Sequence, residues 1–429
     1  MSEYGTAGQQ VAHREETLNN KNRDFDIVLW GATGFTGSLV AEYLLSQYGV
    51  HGSLRWAIAG RSESKLEILR QALGPEAVSL PEIVADSFDE QKLAAMAAKT
   101  GVVISTVGPY AKYGSKLVAA CVEHGTHYCD LAGEAQWIRT MIDEHHDAAV
   151  ESGARIVHCC GFDSVPMDIG VWFLQQEAMR RHDSYCSSIQ MLVKATRGGP
   201  SGGTIASVLN LIKEARADRS VAKVLGDPYG LNPADERSGS DKPDQRNVRF
   251  DEVAETWTAP FVMAGINTKV VRRSHALLDY PYGRFFRYRE AVMMGEGTPG
   301  WLKAGAMTAG LGGFIFASSF GFTRGLLERF VLPKPGEGPN REQRENGFFD
   351  LRQFGTLPDG TIVRSRITGD RDPGYGSTSK MLAESGVCLA SNDLPSGGGV
   401  LTPAAAMGNV LLGRLQENAG LSFEILEDS

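Results

Sequence analysis

The chain has 429 residues, 42% of them hydrophobic and 22% charged, which is enough apolar material for a sizeable core in two or three domains. The formal net charge is −8 and the isoelectric point is near 5.7, and Lys and Arg form no cluster. A polyanion is held by a broad basic field, so this charge balance excludes a nucleic-acid-binding protein.

The amino-terminal residues 1–23 are polar and lack an apolar stretch, which argues against a signal or transit peptide and predicts a flexible tail. The six cysteines are spread along the chain without a CxxC pair. We therefore expect no metal site and no disulfide framework, and we expect reduced thiols in a cytoplasmic protein.

The first structured stretch reads as a strand, a glycine turn and a helix. Residues 26–30 are an apolar run suited to a buried parallel strand, and the apolar residues after Gly37 recur at helical spacing. In the dinucleotide-binding pattern, Gly31 allows the turn, Gly34 lets the backbone approach a pyrophosphate, and Gly37 lets the helix pack on its strand. The alternative is an ordinary turn that contains glycine, but the flanking strand and helix and the absence of charge favour a nucleotide site. The predicted cofactor-binding residues here are Gly31, Ala32, Thr33, Gly34, Phe35, Thr36 and Gly37.

The second strand, predicted at 54–59, ends where an adenosine ribose is read. Arg61, with Ser62 and Lys65 nearby, suits a 2′-phosphate, whereas an acid at this place would select NAD. The sequence therefore predicts NADP, the alternative being that these are solvated charges at a helix start. A third strand at 82–85 places Asp86 near the adenine.

The fourth strand, predicted at 101–107, leads into a loop that should lie at the nicotinamide. Ligands in open α/β sheets bind at the carboxyl ends of the strands, so Gly108 and Pro109 are predicted cofactor contacts. Tyr110 and Tyr113 are candidate proton donors by position, or loop aromatics that pack on the domain boundary.

Two more strands, predicted at 127–130 and 155–160, complete an alternation of strands and helices that is typical of a doubly wound parallel sheet. Cys159 and Cys160 lie in an apolar context and are predicted to be buried small hydrophobes. His158 is predicted to be a core histidine whose hydrogen bonds are satisfied.

Seven motifs extend this interpretation over nearly the whole chain. They are GATGFTG at Gly31, AGRS at Ala59, TVGPY at Thr106, HYCDLAGE at His127, GFDSVPMDIG at Gly161, GGPSGGTIAS at Gly198 and DPGYGSTSKM at Asp372. Together they resemble the saccharopine dehydrogenase-like oxidoreductases, and within that group most closely the trans-acting enoyl reductase branch. The resemblance implies a role in long-chain lipid or polyketide assembly. Other members of the group are associated with membranes or lipid bodies.

The fold class that we expect is α/β: a Rossmann-type doubly wound parallel sheet plus a second α+β domain with a mostly antiparallel sheet. We predict four parts: a tail at 1–23, an NAD(P)-binding domain at 24–165, a substrate-binding and catalytic domain at 166–390, and a C-terminal segment at 391–429. The resemblance implies that this last segment returns to the nucleotide domain.

Two segments of the second domain have open interpretations. The GGPSGG turn at 198–203 opens a helix whose free amides suit a substrate oxygen or phosphate, or it is a structural turn. The residues 304–323 carry no charge, but their glycines make a poor membrane-spanning helix. We predict a buried or interfacial helical hairpin, whose functional version is an acyl-tunnel wall or a membrane-docking surface.

The leading hypothesis, which takes its substrate class from the resemblance, is an NADPH-dependent reductase of a carbon–carbon double bond in a long acyl thioester. The thioester would be free, on a carrier protein or on a polyketide synthase, and a homodimer and peripheral membrane contact are both open. Tyr110, Tyr113 and Asp163 are the candidate catalytic residues. One alternative is reductive condensation of an amino acid, with Arg197, Arg272 and Arg273 pairing substrate carboxylates. The other is a nucleotide-binding protein at a membrane or lipid body that catalyses no reaction.

Overall fold

The computed structural model describes residues 23–198, 202–318, 320, 338–391 and 393–427. The predicted tail lies outside these residues except for Arg23, and so do residues 319 and 321–323 of the predicted apolar segment.

The strands and helices of the described residues are numbered separately in chain order. The strands are β1 (Phe25–Trp30), β2 (Trp56–Gly60), β3 (Glu82–Val84), β4 (Thr100–Ser105), β5 (His127–Asp130), β6 (Arg155–Val157), β7 (Ser188–Arg197), β8 (Arg249–Asp251), β9 (Thr256–Ala259), β10 (Arg287–Gly295), β11 (Phe348–Thr356), β12 (Ile362–Gly369), β13 (Gly399–Leu401) and β14 (Leu421–Leu426). The helices are α1 (Phe35–Tyr48), α2 (Glu63–Leu73), α3 (Glu90–Ala98), α4 (Tyr110–Tyr113), α5 (Ser115–Glu123), α6 (Ala135–Ser152), α7 (Val165–His182), α8 (Gly202–Ala217), α9 (Arg219–Gly226), α10 (Ala264–Leu277), α11 (Gly297–Ser318), α12 (Arg341–Glu345), α13 (Thr378–Ser391) and α14 (Pro403–Glu417).

The first sheet is parallel and has the order β13-β6-β5-β4-β1-β2-β3. Without β13 this is the strand order of the doubly wound dinucleotide-binding fold, which confirms the predicted class. The central strands β1, β2 and β4 are almost wholly buried, as expected for apolar runs covered by helices on both faces. The carboxyl ends of β1, β2 and β4 therefore meet at one edge, where the glycine turn also lies.

The second sheet has the order β14-β12-β11-β7-β10-β9-β8 and is antiparallel except for the pair β7 and β10. In β12, buried and half-buried residues alternate, because only one face of the sheet meets the core. The two sheets share one continuous apolar core, which includes Ile27 of the first sheet and Phe349 of the second.

The C-terminal third of the chain crosses between the two sheets. Helix α13 packs on α1, β1, β4 and β5, although the sequence assigns nearly all of it to the second domain. Strand β13 joins the first sheet beside β6, and β14 then joins the second sheet beside β12. The last segment thus returns to the nucleotide-binding sheet through β13 and leaves it again.

Two local predictions need correction. Strand β6 ends at Val157 rather than 160, because the backbone turns sharply at Cys159, whose φ is 64°. The apolar segment is not a buried hairpin in its described part: up to Ser318 it is a single helix, α11, with much of its surface exposed. Within the described ranges, no helix is both long and apolar enough to cross a membrane.

Candidate active site

The glycine turn has the backbone geometry of a phosphate cradle. Gly31 has a φ of +84°, which L-residues rarely adopt. A Cβ on Gly37 would lie 2.2 Å from the Gly31 carbonyl oxygen, so only glycine lets α1 approach β1 this closely. A Cβ on Gly34 would meet only that same oxygen, at 3.3 Å, and otherwise open space. The turn is therefore packed at Gly31 and Gly37 and open at Gly34.

The open side of the turn coincides with the start of helix α1. Gly34 is the N-cap and offers no side chain to the first backbone N–H groups, so these donors point to whatever occupies the open space. Thr33 and Gly34 are exposed, Thr36 is half-buried and Ala32 is buried. The ring of Phe35 is covered by Tyr375, whose centroid lies 4.6 Å away.

The residue after β2, Arg61, is a cation without an ion-pair partner in the described part of the chain. Arg61 is exposed and makes no hydrogen bond or ion pair with any described residue. Ser62 caps α2 by accepting a hydrogen bond from the backbone N–H of Lys65 at 3.4 Å, and the Lys65 side chain is exposed. This geometry leaves the Arg61 guanidinium free for a phosphate at the start of α2.

The loops after β3 and β4 border the same edge of the sheet. Asp86 is exposed, and its carboxylate accepts the backbone N–H of Phe88 at 2.9 Å. The Thr106 hydroxyl donates to the Gly31 carbonyl oxygen at 3.1 Å, which ties the β4 loop to the glycine turn. Gly108 is exposed and Pro109 half-buried, so both are accessible, and their contact with the nicotinamide stays a prediction.

Tyr110 does not suit the role of proton donor. Its hydroxyl donates to the Ser105 carbonyl oxygen at 3.1 Å and accepts the backbone N–H of Leu131 at 3.2 Å. Burial raises the pKa of this phenol well above its ordinary value. The sequence also missed the role of Glu134, whose carboxylate accepts the backbone N–H groups of Tyr110 and Ala111 at 2.8 and 3.0 Å. Tyr110 therefore fixes the loop and does not face a substrate.

Tyr113 and Asp163 remain accessible candidates. Tyr113 is half-buried against the ring of Phe88, with centroids 5.8 Å apart. Asp163 is half-buried in the turn between β6 and α7, and its carboxyl group has no hydrogen-bond partner in the described part of the chain. Burial disfavours its charged form and raises the pKa of Asp163 to about 6. This carboxyl group is thus partly protonated near neutral pH.

The Asp163 turn is held by a buried chain of hydrogen bonds that the sequence did not predict. The Ser164 hydroxyl donates to the Asn267 side-chain oxygen at 3.1 Å, and the Asn267 amide donates to Glu290 at 3.0 Å. The Tyr288 hydroxyl also donates to Glu290, at 2.8 Å. Burial raises the pKa of Glu290 to about 8. The second sheet is thereby connected to the turn that carries Asp163.

His158 is buried as predicted, but its hydrogen bonds are not all satisfied. Its Nδ1 lies 2.8 Å from the Asp130 carboxylate, whereas its Nε2 has no partner among the described residues. Cys159 and Cys160 are buried free thiols, as expected, and burial raises the pKa of each well above its ordinary value.

Of the three arginines considered for binding substrate carboxylates, Arg197 is exposed, whereas Arg272 and Arg273 are bound to other protein groups. Arg272 forms a buried ion pair with Asp241 at 2.6 Å. Arg273 donates to the carbonyl oxygens of Leu231 and Val400 at 2.5 and 2.6 Å. These two guanidinium groups serve the packing of α10 and are not available to an amino-acid substrate.

Comparison with known proteins shows which family this chain resembles. The family described as "Saccharopine dehydrogenase NADP binding domain" matches residues 27–157. The solved structure of saccharopine dehydrogenase (L-Glu forming) from Saccharomyces cerevisiae covers 94% of this chain and 99% of its own, with a TM-score of 0.51 at 12% identity. That likeness shows the shared fold. The chain is therefore an NADP-dependent oxidoreductase with the saccharopine dehydrogenase fold.

Similarity to individual proteins over nearly the whole chain identifies the branch of the family. A trans-acting enoyl reductase from Mycobacterium bovis is 40% identical over 410 residues, which are 93% of this chain and 97% of that protein. A Mycobacterium tuberculosis protein that carries the same name provisionally is 44% identical over 418 residues, 94% of this chain and 97% of its own length. The chain belongs to the trans-acting enoyl reductase branch of the saccharopine dehydrogenase-like family.

Proposed function

We propose that the protein uses NADPH to reduce a carbon–carbon double bond conjugated to the carbonyl of a long acyl or polyketide-type thioester, in lipid biosynthesis. The observation that carries the proposal is the uncommitted, partly protonated Asp163 at the edge of the sheet where the cofactor cradle opens. The full-length similarity to proteins named trans-acting enoyl reductases supports the substrate class.

The residues around the cradle have separate tasks. The open face of Gly34 and the amides of α1 would hold the pyrophosphate, and Arg61 with Ser62 and Lys65 would hold the 2′-phosphate. NADPH held there would supply the hydride that the β carbon of the enoyl group accepts. Asp163 protonates the α carbon. The chain of hydrogen bonds from Ser164 through Asn267 to Glu290 holds the Asp163 turn in place for this proton transfer.

The proposed donors for the thioester oxygen are the amides that open α8. Three residues of the GGPSGG turn, 199–201, lie outside the described residues, so this assignment depends on the sequence pattern alone. The term trans-acting in the relatives' names suggests that the substrate is carried by a separate synthase or carrier protein.

The experiment that tests the function follows NADPH absorbance with the purified protein. We expect oxidation with α,β-unsaturated long-chain thioesters, fastest when the thioester is on a carrier protein. A keto acid with an amino acid tests the saccharopine-type reaction in parallel. Oxidation only in that second assay would overturn the proposal, and tight NADPH binding with no oxidation in either assay would favour the nucleotide-binding protein without catalysis.

Asp163→Asn should lower kcat by about two to four orders of magnitude, which is the usual contribution of a positioned general acid. The donor must be protonated, so the wild-type kcat should fall as pH rises through about 6, the pKa of Asp163, and the variant should lack this dependence. NADPH affinity should stay within about twofold, since neither phosphate contact changes. Tyr113→Phe is the matched control, and a large loss of kcat there but not in Asp163→Asn would move the role to Tyr113.

We further propose that the protein is cytoplasmic and touches a membrane peripherally through α11. Trp301 and Phe316 are 49% and 68% exposed, and Lys303, two residues after Trp301, is also exposed. Replacing both aromatic residues by Ser should reduce co-sedimentation with anionic vesicles several-fold. Phe285→Ser is the control, because Phe285 is 84% exposed but belongs to the turn before β10. Equal loss with Phe285→Ser, or no loss with α11, would contradict this contact.

A further inference from the structure

A cavity of about 490 Å³ lies between α11 and the body of the second domain. This volume is within the range of small-molecule sites, roughly 300–1,000 Å³. None of the predicted cofactor contacts lines it. Its walls come from the end of α9, the loop before β8, the loop before α10, α10 itself and α11. The lining residues that carry the argument are Leu225, Phe261, Arg246, Lys269, Gly312 and Ile315.

One wall of the cavity is a face of α11. Thr308, Leu311, Gly312 and Ile315 line it, at the i, i+3, i+4 and i+7 spacing that places side chains on one helix face. A Cβ on Gly312 would have no heavy atom within 4 Å, so a larger residue there would occupy the cavity without meeting the protein. This wall is mostly apolar. Further apolar residues, including Leu225 and Phe261, line the rest of the cavity.

The polar end of the cavity carries a buried cation with a spare donor. Lys269 is 1% exposed, and its ammonium group donates to the carbonyl oxygens of Leu225 and Gly265, each at 3.0 Å. An ammonium group has three protons, and the third finds no acceptor in the described part of the chain. Burial lowers the pKa of Lys269, and this effect outweighs the opposing influence of the Asp244 and Asp227 carboxylates.

The other charged groups at this end are one carboxylate, Asp244, and one guanidinium, Arg246. Asp244 accepts the Thr268 hydroxyl at 3.0 Å and lies 3.9 Å from Arg272, so its charge is already engaged. Arg246 is exposed and forms no ion pair with a described residue. The cavity therefore combines an apolar wall with two cationic groups, Lys269 and Arg246, that have donors to spare.

We propose that this cavity binds a fatty acid: a single acyl chain packs between α11 and Phe261, and its carboxylate accepts hydrogen bonds from Lys269 and Arg246. The carboxylate supplies the acceptor that Lys269 lacks, and the chain covers apolar surface that water otherwise meets. The site is separate from the cofactor cradle, and the proposal does not depend on the reductase reaction.

Binding is tested on the full-length protein with the fluorescent fatty acid cis-parinaric acid, displaced by dodecanoate. Wild type should bind saturably at one site. Gly312→Leu should weaken dodecanoate binding by about tenfold or more, because its side chain takes the place of several methylene groups. NADPH affinity should be unchanged. Gly310→Leu is the matched control, since Gly310 also has open space around it, is exposed and lies on the opposite face of the same helix.

The headgroup is tested separately with Arg246→Ala and Lys269→Met. Each should weaken dodecanoate by about tenfold while changing dodecanol, which has no charge, by less than about twofold. Arg246 is exposed, so its variant should fold even if loss of the Lys269 hydrogen bonds destabilises the protein. Three results would overturn the proposal: undiminished dodecanoate binding in Gly312→Leu, equal weakening in Gly310→Leu, which would indicate partition onto the exposed face of α11, or wild-type dodecanol binding as tight as that of dodecanoate.

Discussion

Gly34→Val should abolish NADPH binding, on the order of a hundredfold or more in Kd, while the protein stays folded. In the free protein the new Cβ meets only the Gly31 carbonyl oxygen at 3.3 Å, and the φ of Gly34, −76°, is ordinary for an L-residue. The branched side chain instead fills the open space that a pyrophosphate needs. Titration of NADPH fluorescence measures the effect, and a thermal melt should show only the small loss expected for Val at a helix N-cap.

Gly37→Val is the contrasting variant. Its Cβ would lie 2.2 Å from a backbone oxygen, so this change should destabilise the fold itself. If Gly34→Val keeps the wild-type Kd for NADPH, the phosphate does not bind at this turn. If both variants unfold alike, the open space at Gly34 is not the reason for the loss.

Arg61→Asp should weaken NADPH binding by roughly ten- to a hundredfold, because a charge-assisted hydrogen bond to a phosphate contributes about 1.5–3 kcal/mol. The carboxylate would also repel the 2′-phosphate. NADH binding should stay the same or improve, since a carboxylate accepts hydrogen bonds from free ribose hydroxyls. The Arg61 side chain makes no hydrogen bond or ion pair with a described residue that the change would break, so the fold should be unaffected.

The measurement is the pair of dissociation constants for NADPH and NADH in wild type and variant. Lys99→Asp is the control for a general change of charge, because Lys99 is exposed and precedes β4 at the opposite edge of the sheet. A similar loss of NADPH affinity in Lys99→Asp, or a wild type that prefers NADH, would contradict the role of Arg61.

Much of the first sheet follows from local sequence. Strands buried on both faces read as continuous apolar runs, and the bounds predicted for β5 agree with the structure residue by residue. The packing at Gly37 is also local, because a Cβ there would meet Gly31 and Ala32 of the same turn, whereas a Cβ on Gly31 would meet Thr106 and Val107 after β4. The cap of α2 is local as well, because Ser62 accepts its hydrogen bond from the backbone N–H of Lys65, three residues later.

The site chemistry depends on contacts between distant segments. Whether the Tyr110 hydroxyl faces a substrate or the backbone is decided by the placement of Leu131 after β5. The support of the Asp163 turn requires Ser164 to meet Asn267, which is 103 residues further along the chain. Periodicity carries no information about such pairs, because it specifies which face of an element is buried and not which neighbour covers it.

The sequence by itself predicted the doubly wound sheet, the glycine turn after β1 and the exposed cation after β2, because each is read from the pattern of single strands, turns and helices. Only the tertiary structure decided that Arg272 and Arg273 are occupied by packing, that α11 is exposed, and that Lys269 is buried beside a cavity. These facts arise where separate elements meet. The free energy of a buried charge or an apolar face depends on the groups opposite it, which the fold supplies.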